Sequence, residues 1–277
     1  VEEDEFYTEF TDGTATNVTG DDAGANFDLP FTFVYAGAEF NSVRICTNGW
    51  VRLGGGTLNS LGNNLASTTD IKMLAPLWDD LYIAAGTGDI TYRVEGAEPN
   101  RVYAVQFRNI YRLGASTDLC NFQVRIYESS GFITFNYGSM TAAYTGWTAS
   151  VGINGLVGGI MDFISVTPGV GGNNATASST VSNNSIDATV VPALANKKYT
   201  FMPMGNYVTL LSPYNNTLTE TDVTLTWEAL EGATTYHLMV SDSPDFLTTI
   251  VDNDALTGTS FDLEDLDPVT MHYWKVR

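Results

Sequence analysis

The chain has 277 residues, 44% hydrophobic and 16% charged, with 32 acids against 12 bases and a formal net charge of −20. That apolar share can build a sizeable core and excludes global disorder, while the charge excludes nucleic acid as a partner and repels anionic lipid surfaces. No apolar run approaches the roughly 20 residues that span a bilayer, so no membrane-spanning helix and no direct membrane insertion are expected.

The chain opens acidic, Val1-Glu2-Glu3-Asp4-Glu5, where a secretory signal would carry bases and an apolar stretch. An exported protein with this start has already lost its signal, and the acidic run itself is expected to be a solvated end. From there on, helical periodicity is almost absent. Short runs of Val, Ile, Thr, Tyr and Phe alternate with Gly, Asn and Asp clusters, which predicts an all-β sandwich protein. Gly54 to Ser67 reads as a loop. In Arg101 to Tyr111, Tyr103, Val105 and Phe107 share one face, and Gln106 and Arg108 the other. Cys120 to Tyr127 repeats the alternation. After a Ser129-Ser130-Gly131 turn, Phe132 to Tyr137 completes a hairpin.

Pro168 to Ser185, rich in Gly, Asn, Ser and Thr, reads as a long surface loop. A further strand pair is predicted at Ala188 to Val191 and Lys198 to Phe201. A boundary falls near Met204, giving domains 1–203 and 204–277. The second carries 12 acids and two bases in 74 residues, the first 20 acids and 10 bases in 203. The second is thus almost three times as charge-dense.

Two cysteines, Cys46 and Cys120, allow one internal disulfide or two buried free thiols. Alternation places Cys120 inward with Phe122 and Val124, and Cys46 outward with Arg44, so a bond needs a bulge. Asp79 and Asp80 are adjacent, so on a strand they point apart and cannot act as a glycosidase acid and base. Either one can coordinate calcium with loop oxygens, or the pair can close a turn on its own backbone. Asp252 and Asp254 have a calcium-loop flavour without the glycine and glutamate of an EF-hand. Trp147, flanked by Gly146 and Thr148, is with Tyr144 the exposed aromatic candidate for glycan contact. Trp50 and Trp78 are expected in the core. The two histidines, His237 and His272, both follow residue 203, which denies the first domain a Ser-His-Asp triad. No nucleophile elbow, zinc-protease or phosphate-loop motif is present. The sequons at Asn17, Asn174, Asn183 and Asn215 are within chance for a chain so rich in Asn and Thr.

The second domain runs Leu210-Leu211-Ser212-Pro213, Val223 to Trp227, Gly232 to Val240 and Val269 to Arg277. It resembles the fibronectin type III modules of bacterial surface proteins. The resemblance implies Trp227 as the core tryptophan, inward Tyr236, Leu238 and Val240, and inward His272, Trp274 and Val276 on a sixth strand. The seventh strand is missing, so the chain is expected to continue past Arg277 or to accept a strand from another chain. The first domain, through Asn41 to Val51, Leu74 to Leu81, Asp89 to Arg93, Asn121 to Val124 and Phe132 to Tyr137, resembles the nidogen-like extracellular domain of large secreted bacterial proteins.

These resemblances imply a non-catalytic, secreted or cell-surface protein, adhesive or structural as in a sheath or filament. Its expected partners are other surface proteins, copies of itself, or glycans. The alternative is a carbohydrate-binding accessory region of a larger secreted hydrolase. No cofactor is required beyond the calcium considered above.

Overall fold

The computed structural model describes every residue except Glu5, Phe6, Ala85, 204–207, Thr209, 214–216, Glu231, Gly232, Pro244, Asp245, Leu247 and Arg277. The expectations at Met204, Asn215 and Arg277 therefore lie outside the described residues. The protein is all-β, 48% strand and 2% helix, and divides into two compact units, Val1–Met202 and Pro203–Arg277.

The strands of the first unit begin with β1 (Glu2–Asp4), β2 (Thr14–Ala15), β3 (Gly20–Asp21), β4 (Gly24–Tyr35) and β5 (Ala38–Cys46). Next come β6 (Trp50–Leu53), β7 (Met73–Trp78), β8 (Leu81–Ile83), β9 (Asp89–Glu95), β10 (Val102–Arg112) and β11 (Cys120–Tyr127). The unit closes with β12 (Ile133–Met140), β13 (Ser150–Asn154), β14 (Phe163–Thr167), β15 (Thr176–Ser178) and β16 (Lys197–Phe201). One sheet has nine strands, ordered β1-β16-β12-β11-β10-β8-β3, with β9 beside the first part of β10 and β2 outside β9. The other has seven, ordered β15-β14-β13-β7-β6-β5-β4. A bulge after Phe107 explains how β10 serves two partners along one edge. Asn109 takes a positive φ of 51° there, pairing with β9 ends at Arg108, and pairing with β8 begins at Tyr111.

The alternating residues of β10, β11 and β12 supply one side of the core, with Tyr103, Phe107, Phe122, Val124, Phe135 and Tyr137 all without solvent exposure. Val43, Ile45, Val51, Leu53 and Leu74 supply the other side. The Tyr137 hydroxyl donates to the Pro76 carbonyl at 2.7 Å and ties the two sheets together.

The centre of the seven-stranded sheet, β6, β7 and β13, is buried on both faces. This is why β7 reads Met-Leu-Ala-Pro-Leu-Trp with no polar alternation and is buried throughout. The expected loop at 54–67 folds over that second face, where Cys46, Trp50, Met73 and Trp78 pack with Leu65 and Phe163. It is pinned from beneath. Trp50 Nε1 and Trp78 Nε1 both donate to the Ser60 carbonyl, at 2.9 and 3.0 Å. The Arg44 guanidinium donates to the carbonyls of Leu58, Gly56 and Gly24.

Three expectations change. The stretch 168–185 is not all loop, because Thr176–Ser178 adds β15 to the sheet edge. Ala188 to Val191 is not a strand: Pro192, which lacks an N–H for a ladder, sits in a short 3-10 turn at Val191–Leu194. The acidic start is not merely a solvated end. Glu2–Asp4 forms an edge strand on β16 and meets two of the four lysines, with Asp4 2.7 Å from Lys197 Nζ and Glu3 3.0 Å from Lys198 Nζ.

In the second unit the strands are β17 (Leu210–Ser212), β18 (Val223–Trp227), β19 (Tyr236–Ser241), β20 (Val251–Leu256), β21 (Ser260–Leu263) and β22 (Tyr273–Val276). They form two three-stranded antiparallel sheets, β17-β18-β21 and β20-β19-β22. Between them lies a core of Leu225, Trp227, Tyr236, Leu238, Val240 and Val276, in which Trp227 and Tyr236 meet edge to face at 5.8 Å.

Candidate functional site

Four of the residues singled out in the sequence, Asp79, Asp80, Tyr144 and Trp147, converge on one corner of the first unit. A hairpin turn builds part of that corner. Residues 47–49 join β5 to β6, and Gly49 holds φ at 75°, where a Cβ would lie 2.0 Å from the Leu77 carbonyl oxygen. Only glycine fits so close to β7. The turn thereby presents Asn48, whose Nδ2 donates to Asp22 Oδ1 at 2.7 Å and whose Oδ1 accepts from Leu81 N at 3.0 Å.

Asp79 is buried at 2% exposure, and its oxygens are occupied. Oδ1 accepts from Asp80 N at 2.7 Å, Oδ2 accepts from Thr148 N at 2.8 Å, and Arg112 Nε stands 3.7 Å away. Burial pushes its carboxyl above the usual range, and the two backbone N–H groups and Arg112 oppose that. Asp79 is therefore a strut between loops and no open ligand. Asp80 points instead toward Asp21 and Asp22, and the three carboxylates each bring an oxygen within 4.8 Å of the others. Asp21 is raised by desolvation and then by Asp22 and Asp80. Asp80 is raised by desolvation, relieved by Arg112 and raised further by Asp22 and Asp79. Such a triad can hold a hard cation through carboxylate oxygens. The sequence marks Asp21 and Asp22 only as an acidic pair after Gly20. Their approach to Asp80 arises only because β3 pairs with β8.

At the second expected cation position, Asp252 and Asp254 stand on β20, whose pairing with β19 shifts register beyond Asn253, and Asp252 Oδ1 lies in hydrogen-bond contact with His237 Nε2. The glycan platform expected at Trp147 is corrected too. Trp147 is 1% exposed, and its Nε1 donates to Asp118 Oδ2 at 3.1 Å. The same oxygen accepts from the Ala143 and Tyr144 amides, which folds the 141–148 loop inward and carries the indole into the core. Tyr144 is 40% exposed, with Arg112 lying 5.6 Å from its ring centre. Cys46 and Cys120 are buried free thiols with no bond between them. Cys46 packs under the 54–67 loop and Cys120 in the main core, on opposite faces of the seven-stranded sheet.

A family model described as NIDO related matches residues 1–203. The chain belongs to the NIDO-related family. The matched span takes in both large sheets of the NIDO-related unit, together with the carboxylate corner. No curated protein and no solved structure matches the chain. Among the described residues no helix is long and apolar enough to cross a membrane.

Proposed function

We propose that this NIDO-related chain is a non-catalytic, extracellular surface protein that serves in adhesion or as a structural component. The observation that carries the reading is the family match over 1–203, since nidogen-like domains are extracellular modules. The chemistry of the candidate corner supports it. Asp79 has both oxygens engaged, and burial pushes both thiols up to about 12, far from a nucleophile's range. A cation held by Asp21, Asp22 and Asp80 would brace the corner and supply no reaction.

The second unit is read as a fibronectin type III-like module. Support comes from its two three-stranded sheets, with Trp227 on β18 facing Tyr236 on β19, and from β22 standing at a sheet edge. Modules of this kind hold loops and edges at fixed spacing and bind neighbours through them, other surface proteins or further copies of the chain. Immunogold labelling of intact producing cells under the electron microscope tests the reading. Gold on the outer surface or on shed filaments is expected. Labelling that appears only after permeabilisation would overturn it.

A further inference from the structure

The outer face of the nine-stranded sheet is polar across its width. Register sets Thr91, Gln106, Gln123, Asn136 and Lys198 in one row, and Arg93, Ala104, Arg125, Thr134 and Thr200 in the next. Residues 7–10 cross the first row. Gln106 accepts from Phe10 N at 3.0 Å and donates back to Phe10 O at 2.9 Å, and Gln123 Nε2 donates to Thr8 O at 2.9 Å.

In the second row Ala104 is the short side chain. Its methyl lies between Arg93 and Arg125 and has no solvent exposure. Both guanidiniums converge on Glu95. Arg93 Nε donates to Oε1 at 2.9 Å, Arg125 Nη1 to the same oxygen at 3.2 Å, and Arg125 Nη2 to Oε2. The groove beside them holds about 250 Å³ and is lined by Arg93, Glu95, Arg125, Tyr127, Gln123, Asn136 and the exposed Thr8.

No aliphatic residue lines the groove, which makes it unlike a site for lipid or an aromatic ring. Its charges are balanced as well, because Asp12 takes Arg93 Nη1 at 2.6 Å, so two guanidiniums face two carboxylates. With −20 on the whole chain, an anionic ligand is repelled at long range. A sugar hydroxyl is both donor and acceptor, whereas guanidinium only donates and carboxylate only accepts. Alternating the two in one fixed lattice suits adjacent hydroxyls. The lattice is already held by mutual hydrogen bonds, so little side-chain freedom is lost on binding.

We propose that this groove binds a single neutral pyranose unit of a glycan, a vicinal diol accepting from Arg93 and Arg125 and donating to Glu95. The proposal does not depend on where the protein resides, so its failure leaves the surface reading intact, and the reverse.

The test is saturation-transfer NMR on the full chain with D-glucose, D-galactose and D-mannose as probes and D-glucuronate as the anionic comparison. At least one neutral hexose is expected to bind with a Kd on the order of 1 mM. Thr8→Trp, which fills the groove from its exposed rim, is expected to weaken binding at least ~10-fold without change in melting temperature. Absence of transfer to all three hexoses at ~50 mM, transfer undiminished in Thr8→Trp, or tighter binding of glucuronate would each overturn the proposal.

Discussion

The Asp118 carboxylate and the Trp147 indole form a buried pair, each about 1% exposed and joined at 3.1 Å. Their relationship fixes the 141–148 loop, since the same carboxylate oxygen also accepts two backbone amides. Burial raises the Asp118 pKa, but these donors win and hold it below the usual carboxylate range. Its contribution is therefore present above the unfolded carboxylate's pKa and is lost as pH falls through the lowered folded value. Asp118→Ala strands three donors and is expected to cost about 3 kcal/mol in urea denaturation at pH 7. Asp118→Asn, which keeps an acceptor, should cost less and should flatten the stability profile between pH 5 and pH 2 on the acid side.

The two thiols give a simple reading of the core. Both are buried and pushed up to about 12. The native protein is expected to leave a thiol reagent such as DTNB unreacted for hours at pH 8, and to release two equivalents once unfolded in guanidinium without reductant. Zero equivalents after unfolding would mean a disulfide and would contradict the packing of Cys46 and Cys120 on opposite faces of one sheet.

At the carboxylate corner, Asp21 and Asp80 have pKa values raised by desolvation and by their neighbours. A raised carboxylate favours the fold only when protonated, so this relief is present at low pH and vanishes as pH rises through the folded values. Asp21→Asn is expected to raise the melting temperature at pH 7 by ~1 °C, the scale of one exposed like-charge contact. Calcium should exceed that gain at matched ionic strength, and Asp80→Asn should abolish the excess. Equal melting temperatures in calcium and sodium would leave only screening of the net charge.

The β1 edge joins β16 through both backbone pairing and charge. Lys197 and Lys198 contact Glu2, Glu3 and Asp4, and Thr200 N donates to the Val1 carbonyl at 2.8 Å. Exposed pairs of this kind contribute about 0–1 kcal/mol each and are screened by salt. Raising NaCl from 50 mM to 1 M is expected to speed amide exchange at Thr200 several-fold, with the interior strand β11 unaffected. A uniform change across both strands would mean that salt acts on global stability.

Glu95 shows how pH reaches the groove. Burial raises its pKa, but Arg125 and Arg93 together bring it below the usual glutamate range. Its stabilising effect is thus complete at neutral pH and lost as pH falls through that lowered value. Glu95→Gln leaves two guanidiniums facing each other and is expected to destabilise the first unit by about 1–3 kcal/mol at pH 7. A fluorescence melt against pH checks both statements.

Alternation alone determined much of this protein. Tyr103, Val105 and Phe107 against Gln106 and Arg108 is a period-2 signal that only a strand with one buried face produces, and it announced β10, β11 and β12. The same alternation placed Cys46 and Cys120 facing apart. What it left open depended on contacts between segments distant in the chain. Trp147 looked exposed because its neighbours are Gly146 and Thr148, but Asp118, 29 residues earlier, decides that it is buried. The 54–67 stretch reads as a loop from its glycines and asparagines, with no sign of what lies beneath it. Its backbone carbonyls nevertheless satisfy the indoles of Trp50 and Trp78 and the guanidinium of Arg44, donors that the sheet's second face would otherwise bury unpaired. Asp80 meets Asp21 and Asp22 through the pairing of two short strands, and Arg93 meets Arg125 across a single alanine. Side-chain type and period are local properties, whereas the partner of a buried polar group is a property of the closed sheet, and only the tertiary structure assigns it.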